Sequence, residues 1–286
     1  MAKQRIKKSA LNAVKILVSL ALLFFVFRKI PLKDITDLWR QVNGFYLIPA
    51  AILFLISQII SALRLQKFFE TADFPLGFHS NLKLYFVGMF YNFFIPGGIG
   101  GDAYKVFALN KKFGWNAKGL TAAIFIDRLI GLICICLIIC ILAIFFLPKF
   151  WTYEVLLFLI GLAISWFFIR KLFPILSVNF WPGLLYSIGV QVCQLICFAL
   201  LLKSLGVSDG YGVYSLVFLL SSVLSLISFA GLGIREMLFL QASKLFEFSP
   251  EFSVSASLLF TVITAFFSLF GLYFQAKKLN LQLKSD

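Results

Sequence analysis

The sequence predicts an all-α polytopic membrane protein, with about six full transmembrane helices plus two glycine-broken re-entrant helical hairpins in an inverted-repeat arrangement. Three observations carry that expectation. The 286 residues are 61% hydrophobic and only 13% charged, whereas soluble domains are about 45–50% apolar and about 25% charged. Several apolar runs approach or exceed the roughly 20 residues that cross a bilayer as a helix. Two apolar stretches are cut by glycines followed directly by charged residues, at Gly97-Gly98-Ile99-Gly100-Gly101-Asp102 and at Gly231-Leu232-Gly233-Ile234-Arg235-Glu236. Residues 1–286 read as a single transmembrane domain.

Lys3, Arg5, Lys7 and Lys8 precede the first apolar run, Leu11–Phe27. The run is long and has no small-x-small cleavage site, so an uncleaved first span is expected. Arg28-Lys29-Ile30-Pro31 ends it. Pro31–Asn43 places Ile35, Leu38 and Val42 on one face and reads as a short interfacial helix. Span two is Phe45–Leu63. Arg64 stands at its end, where an arginine either anchors the helix at the interface or lines a polar cavity. Asn81–Ile95 is short for a span, and Asp102–Phe113 reads as a second short helix, so the pair forms a helix–break–helix unit. Span three, Leu120–Leu147, carries Asp127 and Arg128 near its start. Charges there are costly unless they sit at the interface, pair with each other's neighbours or meet water. Spans four and five are Tyr153–Phe168 and Pro182–Leu202, the latter with Gln191 and Gln194 inside. A second broken unit covers Tyr211–Phe248, with a short helix from Met237. The final span is Phe252–Ala276.

The breaks are the informative features. Each glycine in a helix interior costs ~1 kcal/mol relative to alanine, so no stable helix runs through Gly97, Gly98, Gly100 and Gly101. Open backbone at membrane depth survives only where protein or a water-filled cavity satisfies it. A helix that starts afresh after such a break offers free N–H groups to an anion. A surface loop between two spans is the alternative. Topology follows from counting bases. If both broken units cross fully there are eight spans, with 11 Lys and Arg inside and 12 outside. If both are re-entrant there are six, with 16 inside and 8 outside. The positive-inside rule favours six, both termini cytoplasmic and the two hairpins entering from opposite faces.

The net charge of +14 would suggest nucleic acid in a soluble protein. Here cytoplasmic loops and anionic headgroups account for it, and no nucleic-acid partner is expected. The five cysteines, Cys134, Cys136, Cys140, Cys193 and Cys197, all lie in apolar runs and read as small hydrophobes. His79 is the only histidine, which argues against a metal site. No G-x-x-x-x-G-K-[ST] is present, so neither ATP nor another cofactor is expected. No D-x-x-D or H-x-x-x-H occurs, and the chain is not expected to be an enzyme.

A lipid headgroup crossing a bilayer needs a polar path whose groups offset its desolvation. Arg64, Arg128 and Arg235 suit a phosphate by bidentate hydrogen bonding. Asp102, Asp127 and Glu236 suit either those arginines or a cationic aminoacyl headgroup, with Glu236 or Asp127 the preferred acid for proton coupling.

The motif N-x-x-x-P-G-G-x-G-G-D at Asn92–Asp102, the base Lys105, Arg128-Leu129-x-Gly131-Leu132, Ala62-Leu63-Arg64 and G-x-G-x-R-E at Gly231–Glu236 resemble the lysylphosphatidylglycerol synthase transmembrane-region family, also called the flippase-like domain family. The resemblance extends over nearly the whole chain. In the family's large members this domain is fused to a soluble aminoacyl-transferase; no such domain is expected in this chain. The resemblance implies a lipid flippase or transporter of a bacterial or archaeal cell (inner) membrane. The cargo would be an anionic or aminoacylated phospholipid or a lipid-linked precursor. The alternative is a non-transporting accessory subunit of a lipid-modifying or lipid-glycosylating enzyme, with a homodimer or a lipid synthase as partner. The headgroup-binding residues expected from the first break are Asn92, Pro96, Gly98, Gly100, Gly101, Asp102 and Lys105. Those from the second are Gly231, Gly233, Arg235 and Glu236, and Arg64, Asp127 and Arg128 join from the neighbouring spans.

Overall fold

A computed structural model describes residues 24, 32–94, 100–146, 148–225, 233–277 and 279–284. The expected first span, and Pro96, Gly98 and Gly231 of the expected site, lie outside the described residues. The described chain is helical: α1 (Leu32–Arg40), α2 (Gly44–Thr71), α3 (Phe78–Phe94), α4 (Gly100–Phe113), α5 (Ala117–Phe146), α6 (Trp151–Leu172), α7 (Phe180–Ser204), α8 (Tyr211–Leu224), α9 (Ile234–Phe246) and α10 (Pro250–Ala276). Short 3-10 turns precede α6 and α7. Among the described residues there is no strand, only an isolated antiparallel bridge between Leu76 and Leu283. Five helical stretches are long and apolar enough to cross a membrane: Gly44–Thr71, Ala117–Phe146, Pro148–Leu172, Leu176–Ser204 and Pro250–Ala276. The protein is an all-α, multi-pass membrane protein.

One expected boundary is corrected. The second span does not stop at Leu63; α2 runs on to Thr71, because Leu65, Phe68 and Phe69 continue the apolar face and are fully buried. Arg64 is therefore inside the helix and only 6% exposed, not an anchor at its end. Asp127 is buried likewise, at 4% exposure.

The chain divides into two compact units, and α2, α3, α4, α7 and α10 contribute residues to both. Unit 1 holds Met1–Phe54, Phe90–Gly100 and Leu195–Leu269. Its core is aromatic. Phe198 stacks on Phe218 and on Phe239, with centroids 4.7 and 5.3 Å apart, and Phe260 meets Phe218 edge-on at 5.0 Å. Such pairs add roughly 0.5–1.5 kcal/mol each beyond the area they bury. Helices α8 and α9 pack on one another, and Tyr214 near the start of α8 touches Phe248 just past the end of α9 at 4.7 Å. The two helices thus fold back as a hairpin.

Unit 2 holds Leu55–Met89, Gly101–Gln194 and Phe270–Asp286. Its core includes Leu65, Phe68, Phe69, Leu84, Leu109, Leu120, Ile124 and Ile130. Helices α3 and α4 also fold back on each other. A Cβ added to Gly101 would lie 1.9 Å from the Gly88 carbonyl oxygen, so the two backbones touch where only glycine fits. At the other end, Phe74 before α3 packs on Trp115 after α4 at 5.2 Å. The same end collects further segments. Asn179, before α7, donates to the Lys67 carbonyl at 3.0 Å and to the Thr71 hydroxyl. The C-terminal tail lies along the α2–α3 loop, with the Gly77 N–H donating to the Gln282 carbonyl and the Lys284 N–H to the Pro75 carbonyl, both at 2.9 Å.

Candidate functional site

In unit 2, three helices bring ionisable side chains together below that loop-bearing end. Arg64 of α2 forms a two-pronged pair with Asp127 of α5: Nε donates to Oδ1 at 2.8 Å and Nη2 to Oδ2 at 3.3 Å. Its remaining nitrogen, Nη1, donates to the Ser187 hydroxyl of α7 at 2.7 Å, which passes its own proton to the Gly183 carbonyl at 2.7 Å. Space for the guanidinium comes from Gly131, whose added Cβ would sit 2.9 Å from Nη1. A buried pair persists only when its geometry and further hydrogen bonds offset desolvation; here both requirements are met.

At the next residue of α5, Arg128, the polarity is shared differently. Asp102 stands in the first turn of α4, where an acid is favoured by the helix dipole. Its Oδ1 accepts from Lys105 Nζ at 3.3 Å and from Arg128 Nη2 at 3.1 Å. Lys105 is 2% exposed and its ammonium lies 4.7 Å from the centre of the Tyr85 ring. Gly88 makes room for this side chain, since an added Cβ would lie 2.6 Å from Lys105 Cε. The Tyr85 hydroxyl is hydrogen-bonded with Ser61. Helix α4, at 14 residues, is too short to span.

The cluster holds three cations, Arg64, Lys105 and Arg128, against two carboxylates, Asp102 and Asp127, which leaves one positive charge. The surplus is presented by Arg128, whose side chain is 49% exposed. At a rise of about 1.5 Å per residue, Arg64 lies about 10 Å from the end of α2 and Arg128 about 16 Å from the start of α5.

The second break gives a different environment in unit 1. Gly233 adopts a φ of +84°, a conformation that favours glycine. The Glu236 carboxylate reaches back to accept the Gly233 N–H at 2.8 Å and also accepts the Ser257 hydroxyl at 2.7 Å. It is fully buried. Arg235 lies between two aromatic faces, 5.2 Å from the Phe218 centroid and 5.0 Å from that of Phe260. Its Nε is buried without a hydrogen-bond partner among the described residues. Asn92 lies on α3 and Gly100 opens α4, both in unit 1.

Of the expected site residues, Arg64, Gly101, Asp102, Lys105, Asp127 and Arg128 thus fall in one cluster in unit 2. Sequence reasoning did not single out Tyr85, Ser187 and Gly88. Ser187 is 123 residues from Arg64, so no local pattern marks it. Gly88 had a faint signal, as the sole glycine of the apolar run Leu84–Phe94.

The helices and this charged cluster define a multi-pass membrane protein with a polar site between its helices. A family model described as "Lysylphosphatidylglycerol synthase TM region" matches residues 12–177. That is more than half of the 286 residues, and the chain belongs to this family. The match ends at 177, before the second glycine motif, so it is shorter than the near-complete resemblance read from the sequence. No curated protein matches the chain.

Proposed function

We propose that this protein moves an anionic or aminoacylated phospholipid, or a lipid-linked precursor, between membrane leaflets, and that it performs no chemistry on its cargo. One observation carries the reading: a charge network with a net positive charge, set well below the helix ends, whose surplus cation Arg128 is half-exposed. An exposed arginine held on a carboxylate at depth is suited to exchange that partner for a phosphate, which guanidinium binds in a two-pronged way. We assign the headgroup to Arg128, with Asp102 and Lys105 positioning it and the Arg64–Asp127 pair fixing α5. Arg235, whose Nε lacks a partner among the described residues, is the candidate from unit 1.

The same reading makes the α3–α4 hairpin re-entrant. Its two feet lie at one end of unit 2, and its helices span about 25 and 21 Å, short of the roughly 30 Å hydrocarbon core. That end carries Lys67, Lys111, Lys112, Lys118, Arg170, Lys171 and Lys284, and the positive-inside rule makes it cytoplasmic. A cysteine replacing Gly114 should be labelled only from the cytoplasm; labelling from outside rejects this orientation.

The decisive measurement is headgroup accessibility in vesicles containing the purified protein and labelled phosphatidylglycerol. Wild type should transfer headgroups between leaflets. Arg128→Gln and Asp102→Asn should reduce transfer at least tenfold while the protein remains folded and inserted. Undiminished transfer in either variant removes the site, and a chemically altered lipid in the mass spectrum replaces transport with catalysis.

A further inference from the structure

Helix α5 presents a continuous exposed stripe at its N-terminal end: Lys118, Thr121, Phe125 and Arg128 are exposed, while Ala123, Ile124, Ile126 and Asp127 between them are buried. At the foot of this stripe lies a groove of about 470 Å³, lined by Ala117, Lys118, Thr121, Ala122, Phe125 and Phe173. Phe125 and Phe173 form its wall, ring to ring at 6.2 Å.

The chemistry of the lining is divided. Thr121 spends its hydroxyl on the Ala117 carbonyl of its own helix at 2.7 Å, so it adds no donor to the groove. The wall therefore offers hydrocarbon. The mouth offers charge: the Lys118 ammonium has no acidic partner among the described residues. Arg170 and Lys171, exposed at the end of α6, lie over the Trp166 and Phe167 rings of their own helix and add to the basic character of this end. A small soluble anion would gain nothing from the apolar wall, and a neutral lipid nothing from the mouth. An anionic glycerophospholipid satisfies both.

We propose that this groove is a docking site for one anionic phospholipid of the leaflet at the basic end of unit 2, with the phosphate at Lys118 and an acyl chain along Thr121 and Phe125. The stripe leads on to Arg128, ten residues and about 15 Å further along the helix. The groove thus loads the headgroup site; this part of the inference rests on the transport reading given above.

The test uses the full-length protein with a benzophenone amino acid at Phe125, in nanodiscs of phosphatidylcholine with a minority of phosphatidylglycerol. Crosslinked lipid is identified by mass spectrometry, and the same substitution at Ile160, an exposed position on α6, serves as reference. Phosphatidylglycerol adducts at Phe125 should exceed the bulk ratio about fivefold, which is roughly the 1 kcal/mol expected of one basic residue at a membrane surface. Ile160 should give the bulk ratio, and Lys118→Gln should return Phe125 to it. Bulk-ratio adducts at Phe125 in otherwise wild-type protein, or enrichment untouched by Lys118→Gln, overturn the docking site. Enrichment at Phe125 without headgroup transfer in vesicles keeps the docking site and rejects the transport reading, whereas transfer without enrichment does the reverse.

Discussion

The helices that follow the two glycine breaks begin alike in sequence and differ in what their first acid does. In unit 2, Asp102 is shared by Lys105 and Arg128, so its charge is answered by side chains on two helices. In unit 1, Glu236 is taken up by the Gly233 N–H beside it and by the Ser257 hydroxyl of α10, both of them neutral donors. The accompanying arginines diverge in the same way. Arg128 is half-exposed against a carboxylate; Arg235 is held between Phe218 and Phe260. A glycine break followed by charge therefore starts a helix in both units, and it becomes a charge-handling site only where neighbouring helices supply charged partners.

The sharpest way to break this comparison is to remove a partner. Asp127→Asn leaves the Arg64 guanidinium buried with half its pairing gone, which should cost about 3–5 kcal/mol and lower the thermal midpoint in detergent by many degrees. Adding Arg64→Leu should recover much of the loss, since a neutral amide facing a leucine leaves no unanswered charge. A wild-type midpoint for Asp127→Asn would mean that the pair is inert. Next in size are the glycines themselves. Gly101→Ala drives a Cβ into the Gly88 backbone and should cost ~3 kcal/mol as an overpacked contact, despite alanine's ~1 kcal/mol advantage in a helix. Gly233→Ala fails for another reason, its positive φ, and should cost about 1–2 kcal/mol. Equal losses would show that crowding between α3 and α4 is not what glycine serves at position 101.

Much of the architecture was legible because membrane helices announce themselves: an unbroken apolar run has few other uses, and α5, α6, α7 and α10 fall close to where hydropathy places them. Helix ends were less legible. Arg64 reads as a terminus because charge usually marks the interface, but Leu65, Phe68 and Phe69 carry the apolar face a further two turns. The site was legible in its charges and not in its partners. Asp102, Lys105, Asp127 and Arg128 lie close together in sequence or beside the glycine motif. Which carboxylate pairs with which base depends on how α2, α4 and α5 come together, and Gly88 and Gly131 act through the space they leave, which a single sequence does not display.

The smallest effect is expected at the matching acid of unit 1. Glu236→Gln keeps an oxygen that can accept the Gly233 N–H and places an amide beside Ser257, whose hydroxyl can turn to accept. Only the charge is lost, and both bonds are re-made as neutral ones, at a cost of about 1 kcal/mol. The midpoint should fall by a few degrees at most, and headgroup transfer should stay within about fivefold of wild type by the same reckoning. Glu236→Ala, which removes both bonds, should be clearly worse in stability. If Glu236→Gln instead abolishes transfer while the midpoint barely moves, then its charge is used in passage, and the two glycine breaks are the same device after all.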